Sequence, residues 1–136
     1  MAEETVSVTR SVELPATPRD VWAVIGDFHA IDDWHPAIVS SRREQAGEFE
    51  YRHLTVSDGG EITEQLLGES GHSYHYRISH GPLPVEHYEA TLTLTDTGSG
   101  SRVTWSASFT PTAPDAEGVI ASIFEAGLGA LESRFA

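Results

Sequence analysis

The chain has 136 residues and a formal net charge of −13 at neutral pH, because 21 Asp and Glu residues outnumber 8 basic residues. This length predicts one domain, and an apolar fraction of 39% is sufficient for a core, which excludes disordered and collagen-like classes. The acidic excess repels phosphates and anionic headgroups, so nucleic acid and membrane surfaces are poor candidates for the main partner.

The first elements follow from alternation and capping signals. Residues 5–14 alternate apolar and polar side chains, which predicts a strand. The TPRD segment at 17–20 is typical of a helix start, with the threonine as the cap, the proline in the first turn and the aspartate closing a capping box. Gly26 is expected to end this helix, and IDDWHP at 31–36 predicts a second helical turn or two that the proline terminates.

From about Ile38 to Phe109, short alternating segments are separated by turn residues, which predicts an antiparallel meander. A long amphipathic helix follows, with Asp115 as its expected cap and apolar residues at helical spacing to the C-terminus. The order favours an α+β domain in which the last helix lies across the sheet. The clearest strands are Phe49–Val56, Glu61–Glu69, Ser73–Ser79, Glu86–Thr95 and Arg102–Phe109.

Two glycines interrupt the apolar part of the terminal helix, at Gly127 and Gly129. Each costs about 1 kcal/mol relative to alanine in a helix interior, so a compensating feature is expected. Either another backbone approaches the helix closely there, or the missing side chains leave room above the sheet.

Apolar alternation also predicts which polar side chains point inward. Tyr74, Tyr76 and Tyr88 share the inner face with apolar residues, where they either line a pocket or reach the rim of the sheet. Arg52 and Glu64 interrupt the inner faces of two strands joined by the SDGG turn at 57–60. They are therefore expected to form an ion pair, which either fixes the register or provides the polar end of an apolar pocket.

Three segments of the chain lie at 16–38, 51–67 and 74–111 and contain, in order, the motifs VW, W-x-P, R-x-L, GPLPV and V-x-W. Together they resemble the polyketide cyclase/dehydratase-like branch of the START and SRPBCC superfamily. The resemblance covers most of residues 1–136. It implies a helix-grip fold, in which a curved antiparallel sheet of six to seven strands, with two short helices after the first strand, wraps around the C-terminal helix. It also implies a deep apolar cavity.

The resemblance implies a small hydrophobic ligand, and the helix-grip cavity is where it would bind. The positions that match the family's cavity are Trp34, Arg52, Glu64, Tyr76 and Trp105, and inward parity and the apolar face of the last helix add Tyr74, Tyr88, Phe124 and Leu128. Two alternatives stay open, an aromatase/cyclase or dehydratase enzyme and, by analogy, a protein-interaction domain of the chaperone-activator type.

For the enzyme hypothesis, the candidate catalytic residues are Glu64 as the base, Arg52 or a tyrosine as the group that polarises a carbonyl, and His35 as another base. An objection is that an arginine partner stabilises the charged carboxylate and so weakens it as a base. His35, beside Trp34 and before a proline, is expected near the cavity mouth, with a capping or packing role as the alternative.

The residues and motifs that several other kinds of chemistry require are absent from the sequence. The chain has no cysteine and no lysine, which excludes disulfides, thiolate nucleophiles and lysine Schiff bases. The histidines do not follow zinc-binding spacings, so no metal is expected, and no nucleotide motif predicts a cofactor. The acidic start and the lack of a long apolar run favour a cytoplasmic protein without membrane insertion, whose oligomeric state the sequence does not predict. Arg10 is expected at an irregular or edge position of the first strand.

Overall fold

The computed structural model describes residues 4–136, which form one antiparallel sheet, two α-helices and a short 3₁₀ helix. The helices are α1 (Pro18–Ile25), the 3₁₀ helix (Phe28–Asp33) and α2 (Ala116–Arg134). The α+β class and the element order are as predicted. The strands are β1 (Val6–Leu14), β2 (Ile38–Ala46), β3 (Phe49–Val56), β4 (Glu61–Glu69), β5 (Ser73–His80), β6 (Val85–Asp96) and β7 (Ser101–Pro111).

The seven strands lie in the order β1-β7-β6-β5-β4-β3-β2. Each strand from β2 to β6 therefore pairs with the strand that follows it in sequence, and β1 joins the sheet beside β7. The predicted meander is confirmed. The edge strands are β1 and β2, and β2 is exposed along most of its length after Ile38. The edge position expected for Arg10 is also confirmed, and its Nε lies 2.9 Å from Glu125 Oε2 on α2.

The two short helices begin at capping residues. The Thr17 hydroxyl accepts a hydrogen bond from the backbone N–H of Asp20, which confirms the predicted cap of α1. The predicted bounds of the second helix, 31–36, are wrong, because the Asp27 carboxylate caps a 3₁₀ helix that begins at Phe28. This helix ends at Asp33, so Trp34 already lies outside it.

Helix α2 covers the inner face of the sheet and contacts β1 and β7. Asp115 occupies the predicted cap position of α2, and its carbonyl accepts a hydrogen bond from the N–H of Val119. Its side chain, however, makes no capping hydrogen bond, and its backbone (φ −93°, ψ 3°) is not in the extended conformation typical of a cap. The core lies between α2 and the inward side chains of the strands, among them Leu92, Val103, Phe109, Phe124 and Leu131. The candidate site occupies one end of this layer.

Candidate functional site

A buried ion pair joins β3 and β4 on the inner face of the sheet. Arg52 and Glu64 are register partners in the antiparallel ladder, which confirms the pairing predicted from parity. Arg52 Nε donates a hydrogen bond of 2.7 Å to Glu64 Oε1, and Nη2 lies 2.7 Å from the same oxygen without making a second hydrogen bond. The Arg52 side chain is 0% exposed and the Glu64 side chain 8%, so the pair belongs to the interior.

The guanidinium of Arg52 also anchors the 3₁₀ helix to the sheet. Its Nη1 donates to the backbone carbonyl of Phe28. The Phe28 ring lies 3.9 Å from the guanidinium carbon, and the Tyr76 ring 4.8 Å, distances at which the aromatic faces attract the cation. A buried charge is tolerated here because a carboxylate, a carbonyl and aromatic faces all compensate it.

Burial sets the protonation of the acidic groups around Arg52. Burial raises the pKa of Glu64, and the charge and hydrogen bond of Arg52 offset only part of this rise. Arg52 lowers the pKa of Glu64, as the objection to a catalytic base expects, but the loss of hydration raises it by more, so the net shift is upward. Burial also raises the pKa of Tyr74 to about 12 and raises those of Tyr76 and Tyr88 above their usual value, so these phenols stay neutral at physiological pH.

A small cavity of about 60 Å³ lies between the ion pair, the inner face of the sheet and α2. Its walls are mostly aliphatic and aromatic. Five of its apolar lining residues are only half-buried, and we refer to them as its mouth: Ala37, Val56, Ile78, Leu83 and Ile123. The other lining residues are Ile31, His35, Ile38, Arg52, Leu54, Ile62, Glu64, Tyr76, Tyr88, Trp105 and Phe124.

The structure brings most of the sequence-predicted site residues to this cavity, but not all of them. Trp34, Tyr74 and Leu128 are buried without lining it. Trp34 packs against Trp105, and Tyr74 packs against Phe28 behind the guanidinium. Sequence reasoning left out the aliphatic wall, and inward parity on β3 and β4 was an available signal only for its members Leu54, Val56 and Ile62. The predicted residues that line the cavity are His35, Arg52, Glu64, Tyr76, Tyr88, Trp105 and Phe124.

His35 is buried against the middle of α2 rather than open to solvent at the mouth. Its Nε2 donates a hydrogen bond of 2.8 Å to the carbonyl of Ile123, and its Nδ1 accepts one of 3.2 Å from the N–H of Ala37. These two bonds specify the neutral tautomer with the proton on Nε2. Burial lowers the pKa of His35, so the packing alternative describes it better than the role of a solvent-accessible base.

Gly127 permits this arrangement. A Cβ on Gly127 would lie 2.6 Å from His35 Cδ2 and 3.0 Å from Trp105 Cζ3, closer than side chains approach one another. Neither expected explanation holds for Gly127 as stated, because the groups that approach it closely are side-chain rings and not another backbone. A Cβ on Gly129 would meet no heavy atom of the described residues within 4 Å, so that glycine has no packing role in the site.

Among residues 4–136, no group of three or more His, Cys, Asp or Glu side chains is placed to hold a metal ion. The outward histidines bind neighbouring side chains, as His53 does with Thr63 at 2.9 Å and His75 with Glu89 at 2.9 Å. Within the same residues, no helix has both the length and the apolar character needed to cross a membrane.

Comparison with known proteins identifies the family of this chain. The family model described as polyketide cyclase / dehydrase and lipid transport matches residues 5–136, so the chain belongs to this family. It is similar to the protein XoxI from Bacillus cereus, with 35% identity and a TM-score of 0.89 over 96% of this chain and 95% of that chain. A putative uncharacterized protein from Bacillus thuringiensis is also 35% identical, with a TM-score of 0.88 over 96% and 98% of the two chains.

More distant structures share the fold alone. The Zhui aromatase/cyclase from a Streptomyces species is 17% identical, with a TM-score of 0.72 over 96% of this chain and 93% of that chain. Ara h 8.0201 is 15% identical, with a TM-score of 0.74 over 97% and 98% of the two chains. The helix-grip fold expected from the sequence is thus confirmed. A comparison with curated proteins gives no significant sequence match.

Proposed function

We propose that this protein binds a small hydrophobic, aromatic molecule in the cavity between the sheet and α2. The observation that carries the proposal is the composition of the wall, which is aliphatic and aromatic except at the end formed by Arg52 and Glu64. Ligand sites typically combine mostly apolar walls with a few fixed polar groups that orient the ligand. Family membership supports the same kind of role.

The size of the cavity determines how binding proceeds. A volume of about 60 Å³ holds a water-sized guest, whereas an engineered cavity that binds benzene measures about 150 Å³. An aromatic ligand therefore requires the mouth to widen. Leu83 belongs to the loop between β5 and β6, and loops move at lower cost than strands held by a hydrogen-bonded ladder.

Titration with toluene, followed by the fluorescence of Trp105 and by methyl NMR shifts, tests this proposal. We expect saturable changes in the wild type and their loss in Val56→Phe, whose added ring occupies the mouth. Val39→Phe is the matched control, because Val39 is 63% exposed on β2 and lies outside the cavity lining. Saturation that persists in Val56→Phe, or its absence in the wild type, would contradict the proposal.

A second function, enzymatic cyclisation or dehydration, is supported by one specific feature. Glu64 lies at the cavity wall, and burial raises its pKa above the usual value of a glutamate, which makes its carboxylate a stronger base. In this function Glu64 removes a proton next to a ligand carbonyl, and a neutral tyrosine such as Tyr76 donates a hydrogen bond to the carbonyl oxygen. Turnover of a poly-β-ketone that survives Glu64→Gln would contradict this role.

A further inference from the structure

The ion pair at the end of the cavity presents its two charges unequally. Arg52 and Glu64 cancel each other as a pair, and the neighbouring titratable groups are neutral: His35 carries one proton, and the phenols of Tyr76 and Tyr88 keep theirs. The charge that a ligand meets therefore depends on which member of the pair the cavity reaches.

The guanidinium of Arg52 is covered by neighbouring protein groups. Arg52 Nε is bound to Glu64 and Nη1 to the Phe28 carbonyl, while Nη2 is buried 2.7 Å from the same carboxylate oxygen. The guanidinium carbon also lies over the Phe28 and Tyr76 rings. With 0% exposure, Arg52 offers no N–H to a guest in the cavity.

The anion, in contrast, is partly accessible. Both contacts of Glu64 with Arg52 end on Oε1, and the side chain retains 8% exposure. The second oxygen, Oε2, makes neither of these contacts, so it is the oxygen of this cavity-lining side chain that is left for a guest. A carboxylate oxygen accepts hydrogen bonds and donates none when ionised, so its natural partner is a hydroxyl or an N–H.

From this asymmetry we propose that the cavity selects neutral aromatic molecules that carry a hydroxyl group and excludes their carboxylate analogues. This inference rests on the proposed binding function and specifies its ligand class. A phenolic hydroxyl donates to Glu64 Oε2 while its ring contacts Leu54 and Ile62 on the wall. A ligand carboxylate in the same place sets two like charges side by side in a site of low dielectric constant, which is strongly unfavourable. The net charge of −13 adds long-range repulsion of anions.

The test compares three probes that share a ring and a methyl group: toluene, p-cresol and 4-methylbenzoate, each titrated at neutral pH by NMR. We expect p-cresol to bind wild-type protein at least as tightly as toluene. We expect 4-methylbenzoate to bind at least about tenfold more weakly than p-cresol, because like charges brought together cost several kcal/mol.

Glu64→Gln reverses the charge at the site, because Arg52 then lacks its counter-ion. In this variant 4-methylbenzoate should gain at least about tenfold in affinity relative to p-cresol. Circular dichroism confirms that the variant is folded; if it is not, the wild-type affinity ratio decides alone.

The titrations distinguish the failure of charge selection from the failure of ligand binding itself. If wild-type protein binds 4-methylbenzoate within about threefold of p-cresol, or if folded Glu64→Gln keeps the wild-type ratio, charge selection is overturned while toluene binding stands. If neither toluene nor p-cresol binds, the proposed binding function fails and this inference fails with it.

Discussion

Replacing Gly127 by alanine is expected to destabilise the protein, although alanine is the better helix former. The helix interior gains about 1 kcal/mol from the replacement. The new methyl group, however, would lie 2.6 Å from a ring carbon of His35 and 3.0 Å from one of Trp105. Neither ring can withdraw freely, because His35 is hydrogen-bonded to Ile123 and the Trp105 ring stacks on Phe124 with centroids 4.5 Å apart.

Gly129→Ala is the matched control for this change. It lies on the same helix and gains the same propensity, but its methyl group meets no heavy atom of the described residues within 4 Å. The difference between the two variants therefore isolates the cost of overpacking, about 1–3 kcal/mol. For a domain of this size, each kcal/mol corresponds to a change in Tm of about 3–5 °C.

Urea denaturation followed by tryptophan fluorescence measures both free energies of unfolding. We expect Gly129→Ala to be more stable than wild type and Gly127→Ala to be less stable than Gly129→Ala. Equal stability of the two alanine variants would refute the claim that His35 and Trp105 pack against the backbone of α2 at Gly127.

Three further predictions concern the same site. Arg52→Met should lower the free energy of unfolding by about 3–5 kcal/mol, because Glu64 is left buried without a partner. In urea denaturation, the double variant Arg52→Met, Glu64→Leu should be more stable than this single variant. A double variant less stable than the single variant would argue against a stabilising role of Arg52 as the partner of Glu64. Because burial lowers the pKa of His35, its contribution to stability is fully present above the ordinary pKa of 6.5 and falls as the pH drops below that value. The unfolding free energy of His35→Gln should therefore vary less between neutral and mildly acidic pH, and parallel profiles would contradict this assignment. Trp105→Phe removes the N–H that donates to the Tyr76 hydroxyl at 2.9 Å, and we expect it to cost about 1–3 kcal/mol in the same assay; unchanged stability would show that this hydrogen bond contributes nothing.

The alternation of apolar and polar residues along the strands accounts for most of what the sequence predicts correctly about the site. Arg52 and Glu64 each interrupt an apolar alternation, and the SDGG turn between their strands fixes the register that places them opposite each other. The sequence predicts strand β2 only in outline, because an edge strand exposed along most of its length shows no alternation. The predicted second helix begins too late, because the capping residue Asp27 precedes the IDDWHP segment on which that prediction rests.

Parity gives the face of a residue but not its depth or its neighbours. Tyr74 and Tyr76 point inward from the same strand, yet only Tyr76 lines the cavity, since Tyr74 lies behind the guanidinium against Phe28. Similarly, Gly127 and Gly129 are equivalent in sequence, and only the packing of His35 distinguishes them. These differences arise from contacts between distant segments, which local patterns do not encode.

The most direct test of a ligand site inside the helix-grip layer is isotope-filtered NOE spectroscopy on the protein saturated with toluene or p-cresol. If the cavity is the site, the aromatic protons of the probe show NOEs to the methyl groups of Leu54 and Ile62, deep in its wall. NOEs confined to the exposed apolar side chains of Val39, Phe49 and Leu67 would instead locate the probe on the outer surface and contradict the account.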